Sequence, residues 1–200
     1  GKIKYGPMDS NASGRAFSLP QSYGNDPGMQ RIAIIGTGEG SDSIEAKLSE
    51  RLKEQFKGKV WLVHPRQRSL LGGSRHYDTI DQVPGRVDLA IIVTPDSQVN
   101  EQLDRCAAAG IDSVVAWSHL DDRDGFLRNQ FVESLRRQAD NLGIRMWGPD
   151  CYGFVRPALG IRATLDRVDI KPGKIALISH SGAICRAVTD WANASGVGFS

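Results

Sequence analysis

The fold is decided by the stretch Arg31-Ile32-Ala33-Ile34-Ile35-Gly36-Thr37-Gly38-Glu39-Gly40-Ser41. Its β-branched apolar run predicts a buried strand, and the glycines after it predict a tight turn into a helix that begins near Asp42 or Ser43. Glycine lets the backbone turn sharply and approach a ligand closely, while a helix N-terminus offers free amides to a phosphate. The stretch therefore favours a phosphate-binding turn; a tight turn without a ligand is the alternative.

The same alternation of strand and helix patterns continues along the chain. Near-continuous apolar strands are typical of a parallel sheet covered by helices on both faces. The pattern predicts an α/β fold with a doubly wound parallel sheet over residues 30–150, with a mixed α+β arrangement as the alternative. The predicted strands are 31–35, 60–63, 89–93, 114–116 and 144–147, and helical periodicity occupies 44–56, 99–106 and 127–142.

The two ends of the chain differ from this middle part. Residues 1–29 are rich in Gly, Ser, Asn and Pro without apolar periodicity, so we expect a flexible arm. An irregular stretch follows Trp147, and then a strand over 174–178 and a helix over 182–194 form one further βα unit. Such a unit cannot form a domain alone. It either packs onto the first sheet or begins a second domain, and we expect residues 151–200 to be a linker and the truncated start of such a domain.

Composition excludes several functional classes. A net charge of +2, from 25 Lys+Arg against 23 Asp+Glu, is too small for a dedicated nucleic-acid binder. No apolar run approaches the ~18 residues that cross a bilayer, and no signal peptide is seen. The 3 cysteines, widely spaced, suggest neither a disulfide framework nor a zinc site. We therefore expect a cytoplasmic protein with no membrane, nucleic-acid or metal partner.

The residues after the first two strands narrow the choice of nucleotide. Ser41 stands where the dinucleotide fingerprint has its third glycine. The second strand ends in Pro65, Arg66 and Arg68, without the carboxylate that holds the ribose of NAD. Two arginines favour a nucleotide with an extra ribose phosphate, which is NADP or coenzyme A (CoA); a solvated loop is the alternative.

The next two strand ends should line the same crevice. In open α/β sheets, ligands bind at the carboxyl ends of the strands, so Thr94, Pro95 and Ser118 are candidate contacts. Helix capping explains Thr94 and Pro95 equally well.

A second small-residue cluster, Ser179, Ser181 and Gly182, follows the strand over 174–178. Its hydroxyls and the adjacent, uncapped helix N-terminus predict a second anion site. An ordinary N-cap explains Ser181 alone.

Several stretches together carry a resemblance to a known family, from about Gln30 to Ser200. They are residues 32–36 with the loop that follows, Gly58-Lys59-Val60 with Val63-His64-Pro65, residues 87–91 with Val93-Thr94-Pro95, Ile144-Arg145-Met146-Trp147-Gly148-Pro149 with Cys151 and Gly153, residues 171–179 with Ser181-Gly182, and Asp190-Trp191-Ala192. In order and spacing they resemble the nucleotide-diphosphate-forming (NDP-forming) acyl-CoA synthetases, including succinyl-CoA synthetase alpha subunits. The same module opens bacterial protein lysine acetyltransferases.

The resemblance implies a Rossmann-like CoA-binding domain followed by the first βα unit of a flavodoxin-like ligase domain. It implies that the glycine loop and the loop after the second strand hold the CoA nucleotide, that Thr94 and Pro95 lie along the pantetheine arm, and that Ser179, Ser181 and Gly182 receive a phosphate. The predicted cofactor-binding residues are Gly36, Thr37, Gly38, Ser41, Pro65, Arg66, Thr94, Pro95 and Ser118.

The family's phosphorylated histidine would lie downstream, so no catalytic residue is assigned here. The resemblance implies that ATP or ADP with Mg²⁺ serves only the complete enzyme, through an ATP-grasp region in cis or in a partner subunit. An attached acetyltransferase domain would instead indicate protein acylation. We therefore expect a region that binds CoA or acyl-CoA without catalysing alone; an NADP-binding oxidoreductase domain and a non-catalytic acyl-CoA sensor are the alternatives.

The sequence departs from the family pattern at three positions. Asp150 stands where asparagine is usual, His180 stands where glutamine or arginine is commoner, and the glycine loop has Glu39 and lacks the following proline. Cys151 matches a cysteine near the family's thioester site, while a small buried hydrophobe is its simpler role.

Overall fold

The computed structural model describes residues 29–38, 42–65, 76–117, 125–149, 151–164, 168–179 and 181–200. Its main feature is a six-stranded parallel sheet with the order β3-β2-β1-β4-β5-β6. The strands are β1 (Arg31–Gly36), β2 (Lys59–Val63), β3 (His76–Tyr77), β4 (Leu89–Val93), β5 (Ser113–Ala116) and β6 (Arg145–Trp147), and the helices between them are α1 (Ile44–Gln55), α2 (Asp96–Ala108) and α3 (Gly125–Asn141). The prediction of an α/β, doubly wound parallel sheet is confirmed.

The alternation of side chains along β1 shows how the sheet is covered. Ile32 and Ile34 face one side, where they join a core cluster with Leu52 of α1. Ala33 and Ile35 face the other side, in a cluster that includes buried residues of α2 and α3. Because successive strand residues point to opposite faces, an apolar run with no polar interruption requires cover on both.

An antiparallel hairpin lies where the sequence predicted only an irregular stretch. It consists of β7 (Gly153–Arg156) and β8 (Ile161–Thr164), joined by a 3₁₀ turn over Pro157–Leu159. Ile161 and Ala163 are fully buried in the cluster that contains α1, and Arg51 Nη1 donates to the Thr164 carbonyl at 2.7 Å. The prediction was wrong here because each strand has only four residues, too few for a clear periodicity.

The last βα unit comprises β9 (Pro172–Ile175) and α4 (Gly182–Ala194). The helix has the predicted bounds, but the strand ends at Ile175 rather than at residue 178. Among the described residues, β9 pairs with Phe199 through isolated parallel bridges at Pro172 and Ile175. These bridges do not extend beyond Ile175, where the strand ends. In the described ranges, no helix combines the length and apolarity needed to cross a membrane.

If the hairpin belongs to the core of the sheet, shortening its buried side chain must be costly. We expect Ile161→Ala to lower the free energy of unfolding by about 2–5 kcal/mol, through lost burial and a residual cavity. Leu127→Ala, at a side chain that is 53% exposed on α3, should change it by less than about 0.5 kcal/mol. Urea denaturation followed by circular dichroism measures both, and equal losses would contradict the packing of the hairpin.

Candidate functional site

The sheet topology brings four predicted loops to one edge. β1 lies between β2 and β4, with Ile35 opposite Val63 and Gly36 opposite Val93. β5 follows β4 in the sheet, with Ala116 opposite Ile92. Since all these strands are parallel, the segments after their carboxyl ends are neighbours, as ligand binding in an open α/β sheet requires.

A pocket of about 430 Å³ opens at the carboxyl end of β1. Of the predicted contacts, Thr37 and Gly38 line it, and Gly36 is buried at the end of the strand. Helix α1 begins beside the pocket, where the Ser43 side chain caps the helix by accepting from the Ala46 amide at 3.3 Å. Ser41 lies outside the described residues. The described residues that line the pocket are Thr37, Gly38, Asp42, Ser43, Ile44, Glu45 and Val93.

Glu45 fills the space beneath the glycine loop, which the sequence did not indicate. Its side chain is buried, and its Oε1 accepts the Gly38 amide at 2.8 Å. A Cβ added to Gly36 would lie 2.0 Å from the same oxygen, so any larger residue there would force the Glu45 side chain to move. An acidic residue in the first turn of a helix ordinarily complements the helix dipole, and no sequence signal distinguishes this one.

Two histidines and Pro65 lie near the carboxyl end of β2: His64 and Pro65 follow the strand directly, and His76 belongs to the neighbouring strand β3. The His64 amide donates to the Tyr77 carbonyl at 2.8 Å, and His76 pairs with Leu62 across β2 and β3. Burial holds the pKa of His76 below its usual value of 6.5, with the charges of His64 and Lys53 adding to this effect. His76 is therefore neutral at pH 7. Pro65 is exposed at this edge, and Arg66 lies outside the described residues.

At the end of β4, the capping interpretation of Thr94 and Pro95 is not seen. Pro95 occupies the N-cap of α2 without a side-chain cap. The Thr94 hydroxyl is buried and has no hydrogen-bond partner within the described ranges, a costly state for a polar atom. Neither residue lines the pocket beside α1. Ser118 falls outside the described residues.

The segment around Gly148, Cys151 and Gly153 packs against the end of β5. The Trp117 indole Nε1 donates to the Cys151 carbonyl at 2.7 Å, and Cys151 Sγ lies 3.6 Å from the Ala116 carbonyl oxygen. Gly148 has a φ of 95°, and a Cβ there would lie 2.2 Å from that same Ala116 oxygen. The segment therefore lies at the same sheet edge as the glycine loop, and Asp150 within it is not described.

The predicted phosphate cluster has its hydroxyls engaged in its own turn. The Ser181 side chain accepts from the Ile184 amide at 3.3 Å, so the N-terminus of α4 is capped and the expectation of an uncapped one is wrong. The Ser181 amide donates to Ser179 Oγ at 3.1 Å. Gly182 faces Tyr152, since a Cβ there would lie 3.0 Å from Tyr152 Cδ2. His180 lies outside the described residues.

The described residues offer no metal centre: none of their His, Cys, Asp and Glu side chains form a group of three or more that could hold an ion. What the described edge offers is a pocket beside the glycine loop, with hydroxyls and backbone amides near it. Groups of these kinds are the ones that bind phosphates and hydroxyls in nucleotide sites of other α/β proteins.

Comparison with known sequences also points to a nucleotide-containing ligand. The family described as "CoA binding domain" matches residues 30–157. The chain belongs to this family. The match begins at the residue before β1 and ends in the turn of the hairpin.

The similar curated proteins are CoA ligases. The chain is 31% identical over 169 residues to the ADP-forming acetate–CoA ligase I of Archaeoglobus fulgidus, with 84% of the chain and 24% of that protein covered. It is 33% identical over 174 residues to the ADP-forming 4-hydroxybutyrate–CoA ligase of Nitrosopumilus maritimus, with 84% and 24% covered. The alpha subunit of the ADP-forming acetate–CoA ligase II of Pyrococcus furiosus is 31% identical, with 84% and 36% covered. The chain thus spans about a quarter to a third of these relatives.

A solved structure agrees with the fold. The apo form of an acetyl-coenzyme A synthetase from Ca. Korarchaeum cryptofilum superposes with a TM-score of 0.73 and 29% identity, over 86% of this chain and 37% of that one. The predicted resemblance to NDP-forming acyl-CoA synthetases is confirmed: this CoA-binding family member is homologous to them and has their Rossmann-like sheet.

The close approach of Gly148 to β5 gives a stability prediction. Gly148→Ala should destabilise the protein by at least about 3 kcal/mol, because a positive φ and a backbone oxygen that cannot move both oppose the new Cβ. Gly110→Ala is the matched control: its φ is 73°, but a Cβ would meet nothing within 4 Å. It should cost only about 1–2 kcal/mol. Thermal unfolding compares the two, and equal losses would show that this segment does not lie against β5.

Proposed function

We propose that this chain is the CoA-binding region of an NDP-forming acyl-CoA synthetase and binds CoA or acyl-CoA across the carboxyl edge of its sheet. The observation that carries the proposal is the pocket of about 430 Å³ at the end of β1, lined by Thr37 and Gly38 of the glycine loop, in a chain that belongs to the CoA-binding domain family. CoA supplies the thiol that becomes the thioester; the residues of this chain bind and orient it.

The order of the strands supports one orientation of the bound ligand along the carboxyl edge. The glycine loop, with Thr37 and Gly38, would hold the nucleotide end, and Arg66 after β2 would contact its ribose phosphate. From there the pantetheine arm would extend past β4 to the segment around Cys151, since the ends of β1, β4 and β5 are consecutive along the edge. Thr94, whose buried hydroxyl lacks a partner in the described part of the chain, lies on this path.

The phosphoryl chemistry of the whole protein would require regions beyond this chain. Ser179, Ser181 and Gly182 would receive a phosphoryl group at the N-terminus of α4, although Ser181 would also have to keep its capping bond. ATP or ADP with Mg²⁺ would bind an ATP-grasp region, in cis or in a partner subunit; relatives from Pyrococcus furiosus are named as alpha subunits.

We further propose that the second unit of the chain begins with β9, after the hairpin. Ile161 and Ala163 are buried in the core of the first sheet, whereas all four residues of β9 are exposed. We place the protein in the cytoplasm, in keeping with the free thiols of Cys106, Cys151 and Cys185.

Titration calorimetry with CoA, acetyl-CoA and NADPH tests the proposal. We expect saturable binding of CoA and acetyl-CoA at one site and no heat with NADPH. Arg66→Glu should weaken CoA about tenfold, because it replaces a phosphate-binding cation with an anion. Arg136→Glu, on the exposed face of α3, makes the same charge change and should leave the affinity unaltered.

Tight NADPH binding without CoA heat would replace the proposal with an NADP-dependent oxidoreductase domain. Unchanged CoA affinity in Arg66→Glu would remove that residue from the site.

A further inference from the structure

The side chain of Glu45 occupies a position where a nucleotide-binding loop would present its amide to a ligand. It projects from the first turn of α1, is 5% exposed, and its Oε1 accepts the Gly38 N–H at 2.8 Å. Its other oxygen also approaches the loop, since a Cβ on Gly38 would lie 2.7 Å from Oε2. Gly36 and Gly38, the glycines of the turn that the structure describes, are thus both packed against one carboxylate.

This contact places an anion inside the site proposed for a phosphate. A second carboxylate, Asp42, stands at the rim, 98% exposed and 3.6 Å from Lys47 Nζ. Among the described residues that line the pocket, none is Lys, Arg or His. The described side chains that line the pocket therefore carry a net negative charge. A ligand with phosphates needs hydrogen-bond donors and positive charge there instead.

We propose that Glu45 is a specificity-determining residue that competes with the phosphate of the ligand for the Gly38 amide. The inference rests on the proposed function, because it concerns how the same site treats the diphosphate of CoA. One N–H cannot be fully shared by two anions. A phosphate that binds the Gly38 amide must therefore displace the Glu45 carboxylate from that hydrogen bond, and the two negative charges then lie close together and repel each other. Glu45 thereby weakens the binding of every ligand that presents a phosphate to the loop. It leaves the affinity for ligands without a phosphate unchanged.

The proposal is tested with Glu45→Gln, which keeps the size and the acceptor oxygen and removes the charge. Glu54→Gln is the control: it makes the same change on an exposed position of α1, about 14 Å along the helix axis. Titration calorimetry measures the affinities of CoA, inorganic pyrophosphate and pantetheine for the wild type and for both variants. We expect Glu45→Gln to bind CoA and pyrophosphate about tenfold more tightly, the effect of one charge-assisted contact. Pantetheine should bind all three proteins equally, and Glu54→Gln should match the wild type.

A second variant and a stability measurement guard against a folding defect. Glu45→Ala removes the carboxylate together with its acceptor and should also tighten pyrophosphate binding, and thermal unfolding establishes that each variant is folded. If folded Glu45→Gln or Glu45→Ala binds CoA and pyrophosphate no better than the wild type, the proposal is overturned, and Glu45 serves to hold the loop in shape.

Failure of the proposed function gives a different result. If no protein binds CoA, the assignment of CoA is wrong, and the pyrophosphate titration still decides the role of Glu45. Tighter pyrophosphate binding without CoA binding would support the competing carboxylate alone; unchanged pyrophosphate binding would overturn it.

Discussion

The pairing of β1 with two parallel neighbours is the constraint on which the other features depend. The strand is hydrogen-bonded along both edges and buried on both faces, with Ile32, Ala33 and Ile34 at 0% exposure. Its amino end is held by Asp88, whose Oδ2 accepts the amides of Gln30 and Arg31 at 2.9 Å each. A strand fixed in this way directs its last residue, Gly36, to the middle of the carboxyl edge. The position of the candidate site therefore follows from the core.

The cover on the two faces of the sheet differs, and this difference shapes the site. Helices α2 and α3 cover one face, while α1 and the β7–β8 hairpin cover the other. Reaching the hairpin from β6 requires the chain to cross the end of β5, where Trp117 holds it through the Cys151 carbonyl. That crossing brings the segment around Gly148 and Cys151 to the edge that already carries the glycine loop. Two small-residue turns thus meet at one edge without being close in sequence.

The sequence and the structure together suggest charges of opposite sign after β1 and after β2. Glu45 of α1 directs its carboxylate to Gly38 of the glycine loop, whereas the sequence has Arg66 and Arg68 after β2. A ligand with phosphates at both ends of its nucleotide would meet attraction at one loop and competition at the other. In the proposed function, the ribose phosphate would therefore contribute more to affinity than the diphosphate.

Much of this could be read from the sequence, for identifiable reasons. Ile32 to Ile35 carry a strong apolar signal and Gly36 ends it, so the first strand and its turn were predictable, as were the bounds of α4. The cap that Ser181 gives α4 was only the alternative interpretation of that residue. The hairpin was missed because Gly153, Pro157 and Gly160 interrupt its pattern, and the two-residue strand β3 has no pattern to detect. Glu45 was missed because its burial depends on where Gly36 and Gly38 lie in three dimensions, which local sequence does not encode. The ligand contacts of all the predicted cofactor-binding residues remain predictions, and Ser41, Arg66 and Ser118 also lie outside the described residues.

The most direct test of the account is the location of CoA on the protein, measured by amide chemical-shift changes during a CoA titration. The account predicts that the shifts concentrate on Thr37, Gly38 and Thr94 at the carboxyl edge, with Gly110 and Gly143 at the opposite edge unchanged. Shifts confined to the opposite edge, or to the exposed face of α3, would contradict it.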